Sequence, residues 1–137
     1  MAHWLMKTEP GHWSWDDQRR KDIEHWDGVR NFQAASNLKA MRIGDRAFFY
    51  HSVNEKRVVG IVEVVREYYP DPSDPTGRFG MVDVKAIAPL REPVTLERIK
   101  ADPRLAHLAL VRQSRLSVMP IDDEAWRLIC DWGGVPY

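Results

Sequence analysis

The stretch DRAFFYHSVNEKRVVGIVEVV, Asp45–Val65, carries the reading on which the fold turns. DRAFFYHS, crowded with aromatic and apolar residues, predicts a strand. VNEK is a polar turn. RVVGIVEVV is apolar at nearly every position, which predicts a second strand buried on both faces. Downstream, MVDVKAIA alternates cleanly: Val82, Val84, Ala86 and Ala88 point one way, and Asp83 and Lys85 the other. Upstream, AHWLMK predicts a first strand that ends at Lys7, and RLSVMP predicts a short last one. The Gly44–Asp45 turn leads into the DRAFFYHS strand as a curved sheet would require.

Helices fill the gaps without alternating regularly with the strands. SWDDQRRK starts a short helix, with Ser14 as cap and Asp17 at capping-box spacing. NFQAASNLKAM is a helix capped by Asn31, with Phe32, Ala35, Leu38 and Met41 spaced toward one side. TLERIKAD, with Thr95 as cap, and RLAHLAL are short helical pieces. DDEAWRLICDWGG closes the order, its two Asp facing the positive end of the helix dipole and Gly133 marking its stop. About five or six short strands with three or four helices predict an α+β fold, a barrel-like sheet flanked by short helices.

The chain has 137 residues, enough for one domain, 1–137, with a real core. Lys plus Arg and Asp plus Glu both number 20, and a formal net charge of zero argues against an electrostatic grip on a long duplex. A local pocket for one nucleotide remains open. No apolar run approaches the roughly 18 residues of a membrane span, and MAHWLMKTEP does not read as a signal peptide. Cys130 is the single cysteine; between apolar neighbours it reads as core, and a reducing cytoplasm is the simplest setting. The histidines show no metal-ligand spacing, and neither a phosphate-binding glycine loop nor a nucleophile elbow is present.

Polar residues cluster at element ends, where a rigid scaffold presents side chains to ligands. Lys7, Thr8 and Glu9 follow the first strand. His51 and Ser52 end the FFYHS strand. Arg112, Gln113 and Ser114 precede the last strand. If these ends converge with Trp26, Arg30 and Asn31, they make a pocket with one aromatic wall, several hydrogen-bonding groups and few charges. A flipped nucleobase requires such a site. Each residue also has a plainer role. Trp4, Trp126 and Trp132 read as core, and Trp13 and Trp15 as seals between helix and sheet. Trp26 stands either at a core edge or on a binding surface. Asn31 serves as a cap, Lys7 and Glu9 as a surface ion pair, and His51 as a satisfied buried histidine.

WLMKTEPGHWSWDD, WDGVRNFQAASNLKAMRIGDRAFFYHS, VVGIVEVV and RQSRLSVMPIDDEAWRLI together resemble the EVE domain family, in one order from Trp4 to Ile129. The resemblance implies a PUA-like, partly open β-barrel. It implies non-catalytic recognition of a modified base, such as a methylated cytosine or adenine, in DNA or RNA, with no cofactor and no membrane. Carried over by motif, Lys7 and Thr8 would border the pocket. Trp26 would stack on the base, beside Val29. Arg30, Asn31, His51 and Ser52 would supply polar contacts. Arg112, Gln113 and Ser114 would close the rim or contact phosphate. Tyr68–Gly80 receives no role by this route.

Two other readings compete. PUA-like relatives called ASCH domains include amide hydrolases of modified nucleosides, and Lys7, Thr8 and Glu9 could supply a lysine-activated hydroxyl and a proton shuttle. Strand neighbours point to opposite faces, so the three converge only if the chain turns at Thr8. A protein-interaction module, docking through YYPDPSDPTG, suits the zero net charge.

Overall fold

The computed structural model describes all 137 residues. Six strands form one mixed, unclosed sheet: β1 (His3–Thr8), β2 (Ile23–His25), β3 (Arg46–His51), β4 (Arg57–Pro70), β5 (Gly80–Thr95) and β6 (Val118–Ile121). Their spatial order is β2-β5-β4-β3-β1-β6. β1 lies parallel to β3 and antiparallel to β6; the remaining pairs are antiparallel. Five helices flank the sheet: α1 (Trp15–Lys21), α2 (Phe32–Ala40), α3 (Leu96–Ala101), α4 (Ala109–Arg112) and α5 (Asp123–Gly133). No helix is long and apolar enough to cross a membrane.

The local signals act as read. Ser14 and Asp17 form a reciprocal capping box on α1, Asn31 accepts from Ala34 N–H on α2, and Thr95 accepts from Arg98 N–H on α3. The RVVGIVEVV strand is buried from Val58 to Val62, consistent with its two-sided apolar pattern. Trp4 and Trp126 are buried, and Phe48 stacks on Trp126 at 4.0 Å. Cys130 is also buried, and burial pushes its thiol up to about 12.

Several expectations need correction. β4 runs on through Tyr68–Pro70, which read as loop. β5 continues past MVDVKAIA to Thr95. Beyond Lys85 one side of β5 has no strand partner, so Pro89 and Pro93 break no ladder on that side. β2 is too short to carry a pattern. The left-handed residue that stops α5 is Gly134 rather than Gly133. Trp132 is only half-buried, with the Arg98 guanidinium 4.2 Å from its ring centroid. Phe32 does not join Leu38 and Met41 in the core: steps of three residues fall short of a full helical turn, and the first member rotates out to solvent.

Candidate functional site

A cleft of about 770 Å³ opens at the end of β1. It falls in the size range of small-molecule pockets. Its floor comes from strands and its rim from two loops. Thr8 ends β1, and the chain then turns on Glu9, whose carbonyl accepts from His12 and Trp13 N–H. The Thr8 hydroxyl donates to the Trp13 carbonyl at 2.9 Å, pinning that turn against the strand. Lys7, Thr8 and Glu9 therefore all line the cleft, although strict alternation would separate them.

Two tryptophans line the cleft. Trp26 hangs from β5, its N–H donating to Val82 O at 2.8 Å, and its ring meets Phe49 edge-on at 5.6 Å. It is 7% exposed, so it is at once a core edge and a cleft wall. Trp13, read as a seal, also lines the cleft. Its indole N–H donates to Gln18 Oε1 at 3.0 Å, and Gln18, fully buried on α1, donates in turn to Asp22 O and Val84 O. Trp15 does seal: its ring packs on Phe49 and lies over Gly60.

The Trp26–Asn31 rim is held from the Tyr68–Gly80 segment. Gly28, at φ +76°, donates its N–H to Asp71 Oδ2 at 2.9 Å, and Arg30 Nη1 reaches the same oxygen at 3.2 Å. The other oxygen, Oδ1, accepts from Ser73 N–H and hydroxyl. Burial raises the Asp71 pKa, but the hydrogen bonds from Ser73, Gly28 and Arg30 outweigh it and bring the carboxyl down to about 2. Asp74 organises the far end of the loop in the same way, through Thr76 and Phe79 N–H.

The remaining lining is polar. Lys7 Nζ donates to Ser114 O at 3.0 Å, and burial lowers its pKa. Glu9, Glu24 and Asp27 contribute carboxylates, with His12 and His25 among them. His25 Nδ1 sits 3.0 Å from Glu24 Oε1. Of the residues expected in the pocket, Lys7, Thr8, Trp26, Val29, Arg30 and Asn31 line this cleft.

The others are elsewhere. His51 is buried; its Nε2 accepts the Trp15 N–H at 3.0 Å, and its Nδ1 faces Glu55 Oε1 at 2.9 Å. An accepting Nε2 requires a neutral ring with the proton on Nδ1, so His51 satisfies a free donor at the start of α1 and turns away from the cleft. Ser52 donates its N–H to Thr8 O at 2.9 Å, continuing the β1–β3 ladder past His51. Arg112, Gln113 and Ser114 line a separate depression of about 320 Å³, with Gln33 and Arg115. Asn31 borders both hollows.

Sequence reasoning missed Trp13, His12, Glu24, His25, Asp27, Gly28 and Ser117 as cleft residues. The signal for most was adjacency: His12, Trp13, Glu24 and His25 stand near KTEP or WDGVRN, and Asp27 and Gly28 lie inside the latter. Ser117 could be found only through pairing, because Lys7 N–H donates to its carbonyl.

Comparison with known proteins places this geometry. A protein of Rhodopseudomonas palustris, solved by NMR, is 54% identical and superposes with a TM-score of 0.92 over 98% of this chain and 94% of its own. Human thymocyte nuclear protein 1 is 31% identical over 93% of this chain and 72% of its length. A crystal structure of the human protein in complex with DNA containing 5-methylcytosine aligns over the whole of both chains, with a TM-score of 0.90 and 29% identity. An ASCH protein of Zymomonas mobilis shares the fold alone, with a TM-score of 0.58 and 10% identity. The EVE domain model matches residues 2–132, and the chain belongs to the EVE domain family.

Proposed function

We propose that this chain is a non-catalytic reader that takes one modified nucleobase of a nucleic acid into the cleft. The observation that carries this reading is the pair of indoles, Trp13 and Trp26, facing a polar cleft of nucleotide size. Stacking on an aromatic side chain contributes about 1–3 kcal/mol per base. A methyl group buried beside an indole adds about 0.8 kcal/mol. Lys7 and Asn31 offer hydrogen-bonding groups for the base edge, and Arg30 a fixed positive charge. The human relative bound to 5-methylcytosine DNA makes that base the first ligand to test.

The test is a titration by intrinsic tryptophan fluorescence. Short DNA and RNA strands carry 5-methylcytosine or plain cytosine, and the wild type is compared with Trp13→Ala and Trp26→Ala. Saturable binding that prefers the modified strand, lost in both folded variants, supports the reader. Equal binding of both strands, or binding indifferent to both tryptophans, overturns it.

A second reading has one observation in its favour: Lys7, Thr8 and Glu9 share the cleft, as an amide hydrolase acting on a modified nucleoside would require. Against it, the Thr8 hydroxyl donates to Trp13 O and Lys7 Nζ to Ser114 O, with no hydrogen bond between the two side chains. Turnover of an N-acylated cytidine, abolished by Lys7→Met, would favour the hydrolase.

A further inference from the structure

Phe32 opens α2 and is 68% exposed, an unusual position for a side chain of that size next to a cleft. Its ring leans on Phe79 at 5.0 Å between centroids, and the Arg30 guanidinium carbon lies 5.7 Å from the centroid of the same Phe79 ring. The backing is rigid. Phe79 is nearly buried, its N–H donates to Asp74 Oδ2 at 2.8 Å, and its carbonyl accepts from Asp71 N–H. Phe32 therefore presents a free aromatic surface on a fixed support.

Charge says what would cover it. The cleft lining carries three carboxylates, Glu9, Glu24 and Asp27, against two cations, Lys7 and Arg30, so it is a poor seat for a phosphodiester. Past Asn31, the second depression holds Arg112 and Arg115 and no acidic residue. Asn31 borders both hollows, so a strand with one base in the cleft would pass over it to bring its backbone to these arginines. Phe32 follows Asn31 directly in the chain.

We propose that Phe32, backed by Phe79 and flanked by Arg30, is a stacking platform for the base next to the one held in the cleft, with the connecting phosphates on the Asn31–Arg112–Arg115 side. Stacking is tolerant of sequence, because every base has a π face. The platform therefore adds affinity for a strand over an isolated base without adding sequence preference. This inference rests on the reader assignment.

The test is a double-mutant cycle across the contact. Wild type and Phe32→Ala are titrated with a short single-stranded DNA carrying one 5-methylcytosine. The same strand is then used with the 5′ neighbour, and separately the 3′ neighbour, replaced by an abasic site. Removing one neighbour is expected to weaken wild-type binding about tenfold and to leave the already weakened Phe32→Ala unaffected. Phe32→Trp is expected to restore the loss. If abasic replacement on either side weakens wild type and Phe32→Ala alike, or weakens neither, the platform is overturned while the reader stands. If wild type binds none of the methylated strands, the reader assignment fails and the platform falls with it.

Discussion

Asp71 accepts the backbone N–H of Gly28 at 2.9 Å across 43 positions of sequence, joining the segment between β4 and β5 to the rim of the cleft. Its side chain is fully buried, while its partner Arg30 is substantially exposed. Replacement by Ala leaves the Gly28 and Ser73 N–H groups without their acceptor, a cost of about 1–3 kcal/mol. Asp71→Ala is therefore expected to lower the urea midpoint and to weaken ligand binding. Unchanged binding in a folded Asp71→Ala protein would show that the rim holds its shape without the clamp.

The same carboxylate sets a pH dependence. In the fold its pKa lies near 2, below the ordinary carboxylate value, so the unfolded chain takes up its proton first as acid is added. Its stabilisation is complete above the unfolded value, near 4, and is lost as pH falls toward 2. Asp74, also held near 2, acts in the same window. Asp71→Asn is expected to flatten the acid limb of a stability-against-pH curve between about pH 4 and pH 2. An unaltered limb would place the acid sensitivity elsewhere.

Gln18 is a buried amide that joins Trp13 Nε1, Asp22 O and Val84 O. Gln18→Leu keeps the bulk and removes every one of these bonds. The expected cost is about 1–3 kcal/mol, with a shift in tryptophan emission as the Trp13 indole is released. Emission identical to wild type would show that Trp13 is held by packing alone.

Gly60 lies under Trp15, and an added Cβ would meet the ring carbons at 2.6 Å. The ring cannot retreat far, because it packs on Phe49. Gly60→Ala is expected to destabilise by about 1–3 kcal/mol through overpacking. Thermal unfolding at the wild-type temperature would mean that α1 shifts to make room.

Arg115 lines the depression beyond Asn31 and carries charge without a carboxylate partner there. Arg115→Ala is expected to reduce the slope of log K against log salt by about one for a methylated strand, with preference over the unmethylated strand retained. A lost preference with an unchanged slope would move Arg115 from backbone contact to base contact.

What could be read in the sequence was what is local. Ser14, Asn31 and Thr95 cap helices through residues three positions away, so their patterns are visible in the string. RVVGIVEVV declares its burial by composition. Trp26 and Arg30 were accessible as cleft-lining residues because a glycine turn and a cap stand beside them. His51 had two readings, a ligand contact at a strand end and a satisfied buried histidine; the second holds, but its partner, the Trp15 N–H thirty-six positions upstream, could not be read from the string. The Asp71 clamp was equally hidden, since a loop of prolines and aspartates gives no sign of the distant backbone it will hold.

The placing of β1 between β3 and β6 has a consequence for how the protein is made. His3 pairs with Ile121, so β1 cannot fill its outer edge until β6, far along the chain, has been synthesised. Through that interval the HWLMKT edge offers unpaired backbone groups to any extended neighbour, the condition under which chains join wrongly. The cleft shares this delay, since Lys7 waits for both Ser114 and Ser117. Contacts so distant in sequence favour slow closure. The cleft is therefore completed only once β6 docks on β1, after every strand between them has been made.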